Sequence, residues 1–89
     1  MLAFHHPQGR FNYRTAAVLL DRDRVLVHQI EGYSFWALPG GRVEFGESSE
    51  KTIVREMVEE LGVAVQVERL LWLAECFFTF EKTPFHEIA

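Results

Sequence analysis

Residues 41–63 read GRVEFGESSEKTIVREMVEELGV, a stretch that predicts one amphipathic helix after a glycine turn. Glu47 and Ser48 stand at a plausible helix start, where free backbone N–H groups favour a carboxylate and a hydroxyl. Gly62 stands where a glycine commonly ends a helix. Between them, apolar residues recur at spacings of three and four: Ile53, Val54, Met57, Val58 and Leu61. The pattern predicts a helix over residues 48–61.

Three glutamates, Glu56, Glu59 and Glu60, fall on the opposite side of this helix. Residues three and four apart are neighbours on a helix, so these carboxylates project from one face and repel one another. A bound Mg²⁺ would reverse that repulsion, because this cation prefers oxygen ligands. A solvated acidic surface is the simpler explanation of an isolated E-x-x-E-E. Here Arg55 among the acids and Glu47 upstream favour the metal site instead.

The segment WALPGG, residues 36–41, leads into the helix region. Pro39 and the two glycines that follow predict a tight, specially shaped turn. Glycine also allows a backbone carbonyl to approach a cation closely. A lone PGG usually marks only a turn, but next to the acidic helix it is consistent with the same metal site.

The spacing of these residues resembles the signature of the Nudix hydrolases, G-x5-E-x7-R-E-U-x-E-E-x-G-U, where U is a bulky apolar residue. Met57 and Val63 occupy U positions, and all seven fixed residues are present: Gly41, Glu47, Arg55, Glu56, Glu59, Glu60 and Gly62. At average residue usage, seven identities coincide by chance about once in 10⁸ starting positions. The chain is therefore identified as a member of this family by resemblance.

The resemblance implies hydrolysis of a nucleoside diphosphate linked to another group, with Mg²⁺, or alternatively Mn²⁺, as cofactor. By position, Glu59 and Glu60 match the family's main metal ligands. Glu56 matches a further ligand or, in some members, a general base. The Gly40 carbonyl would be offered to the metal. Arg55 matches the catalytic-site arginine that orients the glutamates through ion pairing, with Glu47 as its partner.

The other signature residues are structural by the same resemblance: Gly41, Glu47 and Gly62. Arg42 could touch phosphate and Glu44 could reach the metal through water, although solvated charges account for both as well. Phe35 and Trp36 could stack on a base, although aromatic residues near a strand end lie more often in a core. His28 falls on the polar side of a predicted strand and is expected to be exposed.

The fold class that the resemblance implies is α/β (α+β): a mixed β-sheet packed between helices. The chain has 89 residues, which allows one domain at most. A chain of this length lacks the later strands and the second helix of the family fold. We therefore expect residues 1–89 to form a single, apparently incomplete Nudix domain.

Alternation and turn residues predict a series of strands around the helix. Residues 1–12 are expected to form an irregular lead, because Pro7 and Gly9 interrupt it. The strands are predicted over residues 13–20, 24–30, 63–68 and 70–80, with a last one beginning at Phe85. The first two are expected to form a hairpin. The strand over residues 70–80 is apolar enough to be half or fully buried.

Composition restricts the partners. A net charge of −4 and a pI near 5.5 disfavour a basic groove for duplex nucleic acid. No apolar run approaches the length of a membrane span. Cys76 is the only cysteine, so an internal disulfide is excluded and a reduced, cytoplasmic setting is expected. An unfinished sheet with an open edge predicts a homodimer or larger assembly.

The sequence is compatible with two functions from different classes. The favoured one is an Mg²⁺-dependent pyrophosphohydrolase acting on a nucleotide-type small molecule. The alternative is a non-catalytic Nudix-like module that senses nucleotides or binds a partner. The intact glutamate set favours the enzyme, whereas the short length favours the module.

Overall fold

The computed structural model describes residues 1–89 and contains nine strands and one helix. The strands are β1 (Ala3–His6), β2 (Gly9–Ala16), β3 (Leu20–Asp21), β4 (Arg24–Val25), β5 (His28–Gln29), β6 (Trp36–Ala37), β7 (Gly40–Arg42), β8 (Glu75–Phe80) and β9 (Thr83–Ile88). The helix is α1 (Ser49–Leu61). This is a mixed α+β architecture, as expected. The helix is neither long nor apolar enough to cross a membrane.

Five strands form one mixed sheet in the order β1-β2-β9-β8, with β7 paired to the C-terminal part of β2. The β2–β9 pair is parallel, and the remaining pairs are antiparallel. Strand β2 is thus the organising strand, since it carries β1 and β7 as well as β9. Helix α1 packs against β2 and β7, which places its acidic face beside the glycine turn.

The predicted helix is confirmed, with both of its ends where the sequence indicated. The Ser48 hydroxyl accepts a hydrogen bond from the Lys51 backbone N–H at 3.1 Å, as an N-cap does. At the other end, Gly62 adopts a left-handed conformation with φ of 66°. Its N–H donates to the Val58 carbonyl at 3.0 Å. Glycine enters this conformation without the steric penalty of a Cβ atom.

The apolar stripe of the helix is narrower than the spacing predicts. Met57 is fully buried and Ile53 nearly so, and both pack on Ala17. Val58, by contrast, is 54% exposed. The partly buried residues packed against this small core are Leu19, Leu61, Val65 and Val67.

The prediction of an irregular lead over residues 1–12 is wrong. These residues contain strand β1 and the start of β2, which form an antiparallel hairpin in which Phe4 pairs with Phe11. Pro7 and Gly9 interrupt no strand, because the turn of the hairpin lies between β1 and β2. The first predicted strand, over residues 13–20, is correspondingly displaced toward the N-terminus.

The predicted hairpin of residues 13–20 with 24–30 is largely wrong. Only two residue pairs remain of it, between β3 and β4 on either side of the turn. Strand β5 leaves that hairpin and pairs with β6 instead, with His28 opposite Ala37. His28, on β5, is partly buried and not exposed as expected. Residues 24–30 therefore pair with two different strands, β3 and β6. The alternation of polar and apolar residues does not show which strand will be the partner.

The two strands predicted after the helix also need correction. Residues 63–68 form no strand; Val65 and Val67 face the core without a neighbouring backbone to pair with. The strand predicted over residues 70–80 covers only Glu75–Phe80, and Leu70 and Leu73 are 77% and 68% exposed rather than buried. The last strand begins at Thr83, two residues before Phe85.

Candidate active site

Arg55 is the centre of an ion-pair network that joins the helix to the preceding loop. Its Nε and Nη2 donate to the two carboxylate oxygens of Glu47, each at 2.9 Å. Its Nη1 donates to Glu56 at 2.9 Å and to Glu59 at 3.2 Å. The planar guanidinium can make these contacts at once because its donors form a rigid fork. The structure therefore places Glu47 against Arg55, as the sequence suggested.

Thr52 is a member of this network that sequence reasoning missed. Its hydroxyl lies 2.6 Å from a carboxylate oxygen of Glu47, and the residue is completely buried. A buried hydroxyl needs such a partner, since an unpaired one is costly. The only signal in the sequence is that Thr52 precedes the first core residue of the helix, Ile53, by one position.

The network lowers the pKa of Glu47 from 4.5 to about 2, first through the hydrogen bonds from Arg55 and then through that from Thr52. The same contact with Glu47 raises the pKa of Arg55 above its ordinary value. Both groups are therefore charged at neutral pH, and the loop that holds Glu47 is tied electrostatically to the helix.

This shift predicts a pH dependence of folding. A carboxyl whose pKa is lower in the folded state stabilises the fold above its unfolded pKa, and loses that effect as the pH falls through the folded pKa. The Glu47 contribution is thus complete above pH 4.5 and lost toward about pH 2. We expect Glu47→Gln to lower the urea unfolding midpoint at neutral pH, with the difference from the unsubstituted protein shrinking in that window.

The control for this experiment is Glu50→Gln, which removes an exposed carboxylate from the first turn of the same helix. Its effect on the midpoint should be small throughout. A Glu47→Gln difference that stays constant down to pH 2 would contradict the ion-pair account.

Gly41 leaves room for the Glu56 carboxylate against β7. A Cβ atom at this position would collide with the carboxylate of Glu56. At Gly40, a Cβ atom would collide with the Thr15 carbonyl of the neighbouring strand. Glycine is thus required at the two positions for different steric reasons. At Gly41, the reason is that a carboxylate of the helix lies directly against the turn.

An open cleft of about 270 Å³ lies between the helix and the β2–β7 pair. Its walls carry three carboxylates and two guanidinium groups, with little apolar surface. The residues that line it are Met1, Arg14, Gly40, Gly41, Arg42, Glu44, Glu56 and Glu60. Arg14 and Arg42 are direct cross-strand partners. Like charges in this arrangement repel, so an anionic ligand would stabilise the pair.

The pKa of Glu60 is raised, first by loss of solvent around its carboxylate and then by repulsion from Glu56. His28 and the Gly40 backbone act in the opposite direction and lower it. A cation bound between the two carboxylates would offset their repulsion.

The donor set suits a hard divalent cation. Glu56 and Glu60 offer carboxylate oxygens beside the backbone of Gly40, and no thiol lines the cleft. Oxygen ligands of this kind are those preferred by Mg²⁺. Glu59 lies outside the cleft lining, 57% exposed at its side chain and bonded to Arg55. The structure therefore brings together two of the three helix carboxylates, and the third is adjacent.

The candidate substrate residues separate into two groups. Arg42 and Glu44 line the cleft, and Glu44 also forms an ion pair with the Met1 amino group. Phe35 and Trp36 lie outside the lining and are 46% and 63% exposed, so they are not core residues. Arg14 was not singled out from the sequence, because a strand arginine has no local signal that reveals its cross-strand partner.

Comparison with known proteins gives one family for this chain. A family model described as the NUDIX domain matches residues 10–88. A putative 8-oxo-dGTP diphosphatase of Bacillus subtilis is 40% identical over 57 residues, covering 64% of this chain and 36% of the relative. Putative nudix hydrolase 1 of Caenorhabditis elegans is 42% identical over 69 residues, with 70% and 19% covered. An ADP-ribose pyrophosphatase of Methanocaldococcus jannaschii is 53% identical over 36 residues, with 40% and 21% covered.

The chain spans only 19% to 36% of the length of these curated relatives. The residues that the family model matches, 10–88, include the glycine turn and the acidic helix. Because the family model matches most of the chain, the chain belongs to the Nudix family.

Proposed function

We propose that this domain hydrolyses the pyrophosphate bond of a nucleoside diphosphate linked to another group. The observation that carries the proposal is the cleft, which Glu56 and Glu60 line together with Arg14 and Arg42. Carboxylates for a divalent cation and guanidinium groups for phosphate oxygens are the two components that such chemistry requires. The names of the relatives as diphosphatases and pyrophosphatases support the same reaction class.

We assign the cation, Mg²⁺ or alternatively Mn²⁺, to the carboxylate of Glu60 and the carbonyl of Gly40, with Glu56 as a further ligand or as the general base. Glu59 joins this set when its carboxylate leaves Arg55. When bound, the cation neutralises charge on the phosphate oxygens and lowers the pKa of water beside it. That positive charge would offset the repulsion between the carboxylates of Glu56 and Glu60.

The protein's own groups would position the substrate and its attacking water. Arg42 and Arg14 bind non-bridging phosphate oxygens and hold the phosphorus atom in the cleft. Glu56, held by Arg55 at 2.9 Å, is either a further cation ligand or the base that takes a proton from the attacking water. Hydrolysis then breaks one phosphorus–oxygen bond of the pyrophosphate and yields two phosphorylated products.

The size of the cleft restricts which part of a substrate it holds. At about 270 Å³ it is slightly smaller than typical pockets for whole small molecules, which begin near 300 Å³. It therefore suits the diphosphate, and the base and the second group lie beyond it. Phe35 and Trp36 offer exposed aromatic surface outside the cleft on which a base could stack.

The test is hydrolysis of a panel of pyrophosphates by the 89-residue chain. The panel contains 8-oxo-dGTP, unmodified nucleoside triphosphates, ADP-ribose and diadenosine polyphosphates. Turnover with Mg²⁺ that EDTA abolishes is the expected result, and the preferred compound identifies the substrate. Binding of these compounds without turnover under any metal condition would favour the alternative, a nucleotide-sensing module.

We also propose that the chain self-associates as a homodimer or larger assembly. Strand β8 is an edge of the sheet, and the preceding segment exposes Trp72 by 61% and Leu73 by 68%. Open strand edges and contiguous apolar surface favour association. Light scattering at tens of micromolar should give a mass above that of one chain, and a monomeric mass would refute the assembly.

We place the activity in the cytoplasm, acting on small nucleotide-type molecules rather than on duplex nucleic acid. The support is a single free cysteine, Cys76, and an excess of acidic over basic residues. Fractionation of cells that express the tagged chain should recover it with cytoplasmic markers, and its recovery with secreted proteins would contradict this location.

A further inference from the structure

An exposed aromatic cluster lies where the loop between β5 and β6 meets the β8–β9 hairpin. The centroid of the Tyr33 ring is 5.4 Å from that of Phe35 and 5.4 Å from that of Phe80. Phe85 contacts Phe80 edge-on, with 6.4 Å between the centroids. Tyr33 is 37% exposed and Phe35 46%. Exposed ring faces of this kind are surfaces on which a flat aromatic ligand stacks.

A carboxylate lies beside these rings. The Tyr33 hydroxyl donates to Oε1 of Glu81 at 2.7 Å, and this bond raises the pKa of Tyr33, so the hydroxyl stays protonated at neutral pH. The other oxygen of Glu81, Oε2, forms no hydrogen bond or ion pair within the chain. Glu81 and Lys82 form the hairpin turn with φ of 49° and 67°. Non-glycine residues adopt this conformation rarely, and strained residues concentrate at binding and catalytic sites.

The sheet register connects this cluster to the cleft. Residues two apart on a strand point to the same face, and cross-strand partners share a face. Arg10, Asn12 and Arg14 therefore lie on one face of β2, and Phe85, the partner of Arg10, lies on that face as well. The bond from Asn12 to its partner Glu87, at 3.4 Å, agrees with this arrangement. The four positions from Arg14 to Arg10 span about 13 Å, a distance that an extended nucleotide can bridge.

We propose that the aromatic cluster and Glu81 form the subsite for the base of the substrate, and that this subsite selects a guanine-type base. The base stacks on Tyr33 and Phe35, and the Glu81 carboxylate accepts hydrogen bonds from its N1–H and its 2-amino group. An ionised carboxylate can only accept, so it favours an edge with two adjacent N–H donors, which guanine presents. The inference rests on the proposed function, because the diphosphate of the same molecule would lie in the cleft that Arg14 and Arg42 line.

A purely structural role of the contact between Tyr33 and Glu81 predicts different behaviour. The hydrogen bond would then only tie the loop to the hairpin, and any acceptor at residue 81 would be sufficient. Glu81→Gln keeps the shape of the side chain and an acceptor for the Tyr33 hydroxyl. A structural role therefore predicts unchanged ligand selectivity in this variant, whereas a base subsite predicts that the selectivity is lost.

The experiment is calorimetric titration with the non-hydrolysable α,β-methylene diphosphates of guanosine, inosine and adenosine, in the presence of Mg²⁺. Inosine lacks only the 2-amino group of guanosine, and adenosine has an acceptor in place of N1–H. The unsubstituted chain is compared with Glu81→Gln and Phe35→Leu. Glu31→Gln is the control for charge, because Glu31 is an exposed carboxylate of the same loop. Phe77→Leu is the control for the aromatic ring, because Phe77 is exposed and lies on the opposite face of β8 from Phe80 and its neighbours.

We expect the guanosine compound to bind about 10-fold more tightly than the inosine compound, and the adenosine compound to bind most weakly. Glu81→Gln should remove most of the preference for guanosine over inosine. Phe35→Leu should weaken both compounds alike, by about 10-fold, because it removes stacking and leaves the hydrogen bonds. Both control variants should bind like the unsubstituted chain. Equal affinities for the three compounds, no binding of the guanosine compound, or a preference that survives Glu81→Gln would each overturn the subsite.

The proposed function and the base subsite fail in different ways. If the methylene compounds bind with the expected preference but no pyrophosphate of the panel is hydrolysed, the subsite stands and the hydrolysis is refuted. If the panel is hydrolysed at rates that do not depend on the base, the proposed function survives and only the subsite is refuted.

Discussion

Glu60→Gln is expected to remove most metal-dependent hydrolysis, lowering kcat/KM by about 10²–10³-fold. This corresponds to about 3–4 kcal/mol of transition-state stabilisation, the scale on which a divalent cation neutralises phosphate charge. The physical reason is that Glu60 shares the cleft with Glu56, and the proposed cation would relieve the repulsion between their carboxylates. An amide keeps the shape of the side chain but contributes no charge to that site.

The measurement is steady-state hydrolysis of the best compound of the panel over a range of Mg²⁺ concentrations. Glu50→Gln, an exposed first-turn carboxylate of the same helix, is the control and should retain full turnover. Circular dichroism should show that Glu60→Gln stays folded, since losing a carboxylate from a repelling pair removes an unfavourable interaction. Undiminished turnover of Glu60→Gln would refute the assignment of this residue to the cation.

Arg55→Lys is expected to lower kcat/KM by about 10- to 100-fold although the positive charge remains, the range that partners of metal ligands generally show. Arg55 contacts Glu47, Glu56 and Glu59 at the same time, through three nitrogen atoms. A lysine ammonium is a point charge and cannot span three carboxylates from one position. The carboxylate of Glu56 would then lose the contact that fixes its orientation beside Gly41.

The same substitution should lower the urea unfolding midpoint, because the contact that ties the Glu47 loop to the helix is lost as well. Arg69→Lys is the control, since Arg69 is exposed and forms no ion pair within the chain. If Arg55→Lys has full activity under conditions where it is completely folded, the substitution affects only stability. Arg55 would then have a structural role and would not orient Glu56.

The acidic helix could be predicted from the sequence because everything that specifies it is local. Ser48 caps its start and Gly62 ends it, and both are read from residue type and spacing. The contact of Arg55 with Glu56 and Glu59 is also local, since these residues are one and four positions apart on one helix. Periodicity fixes which side chains share a helical face before any tertiary contact forms.

The strands were predicted less well because their pairing is not local. Residues 63–68 alternate like a strand but meet no partner backbone, whereas residues 3–6 form one because β2 lies beside them. Strand propensity expresses fit to a neighbouring strand more than an intrinsic preference. The alternation of polar and apolar residues therefore identifies which side chains point toward the core, as for Val65 and Val67. It does not show whether the segment forms backbone hydrogen bonds with a neighbouring strand.

The sequence by itself determined the helix, its caps, the glycine turn and the spacing of the carboxylates, since each depends on neighbours within a few residues. The tertiary structure alone decided that Arg14 joins Arg42 in the cleft and that Thr52 supports Glu47. Those contacts depend on strand register and on the packing of α1 against β2 and β7. A shift of one residue in that register would turn Arg14 to the other face of the sheet, because side chains alternate along a strand.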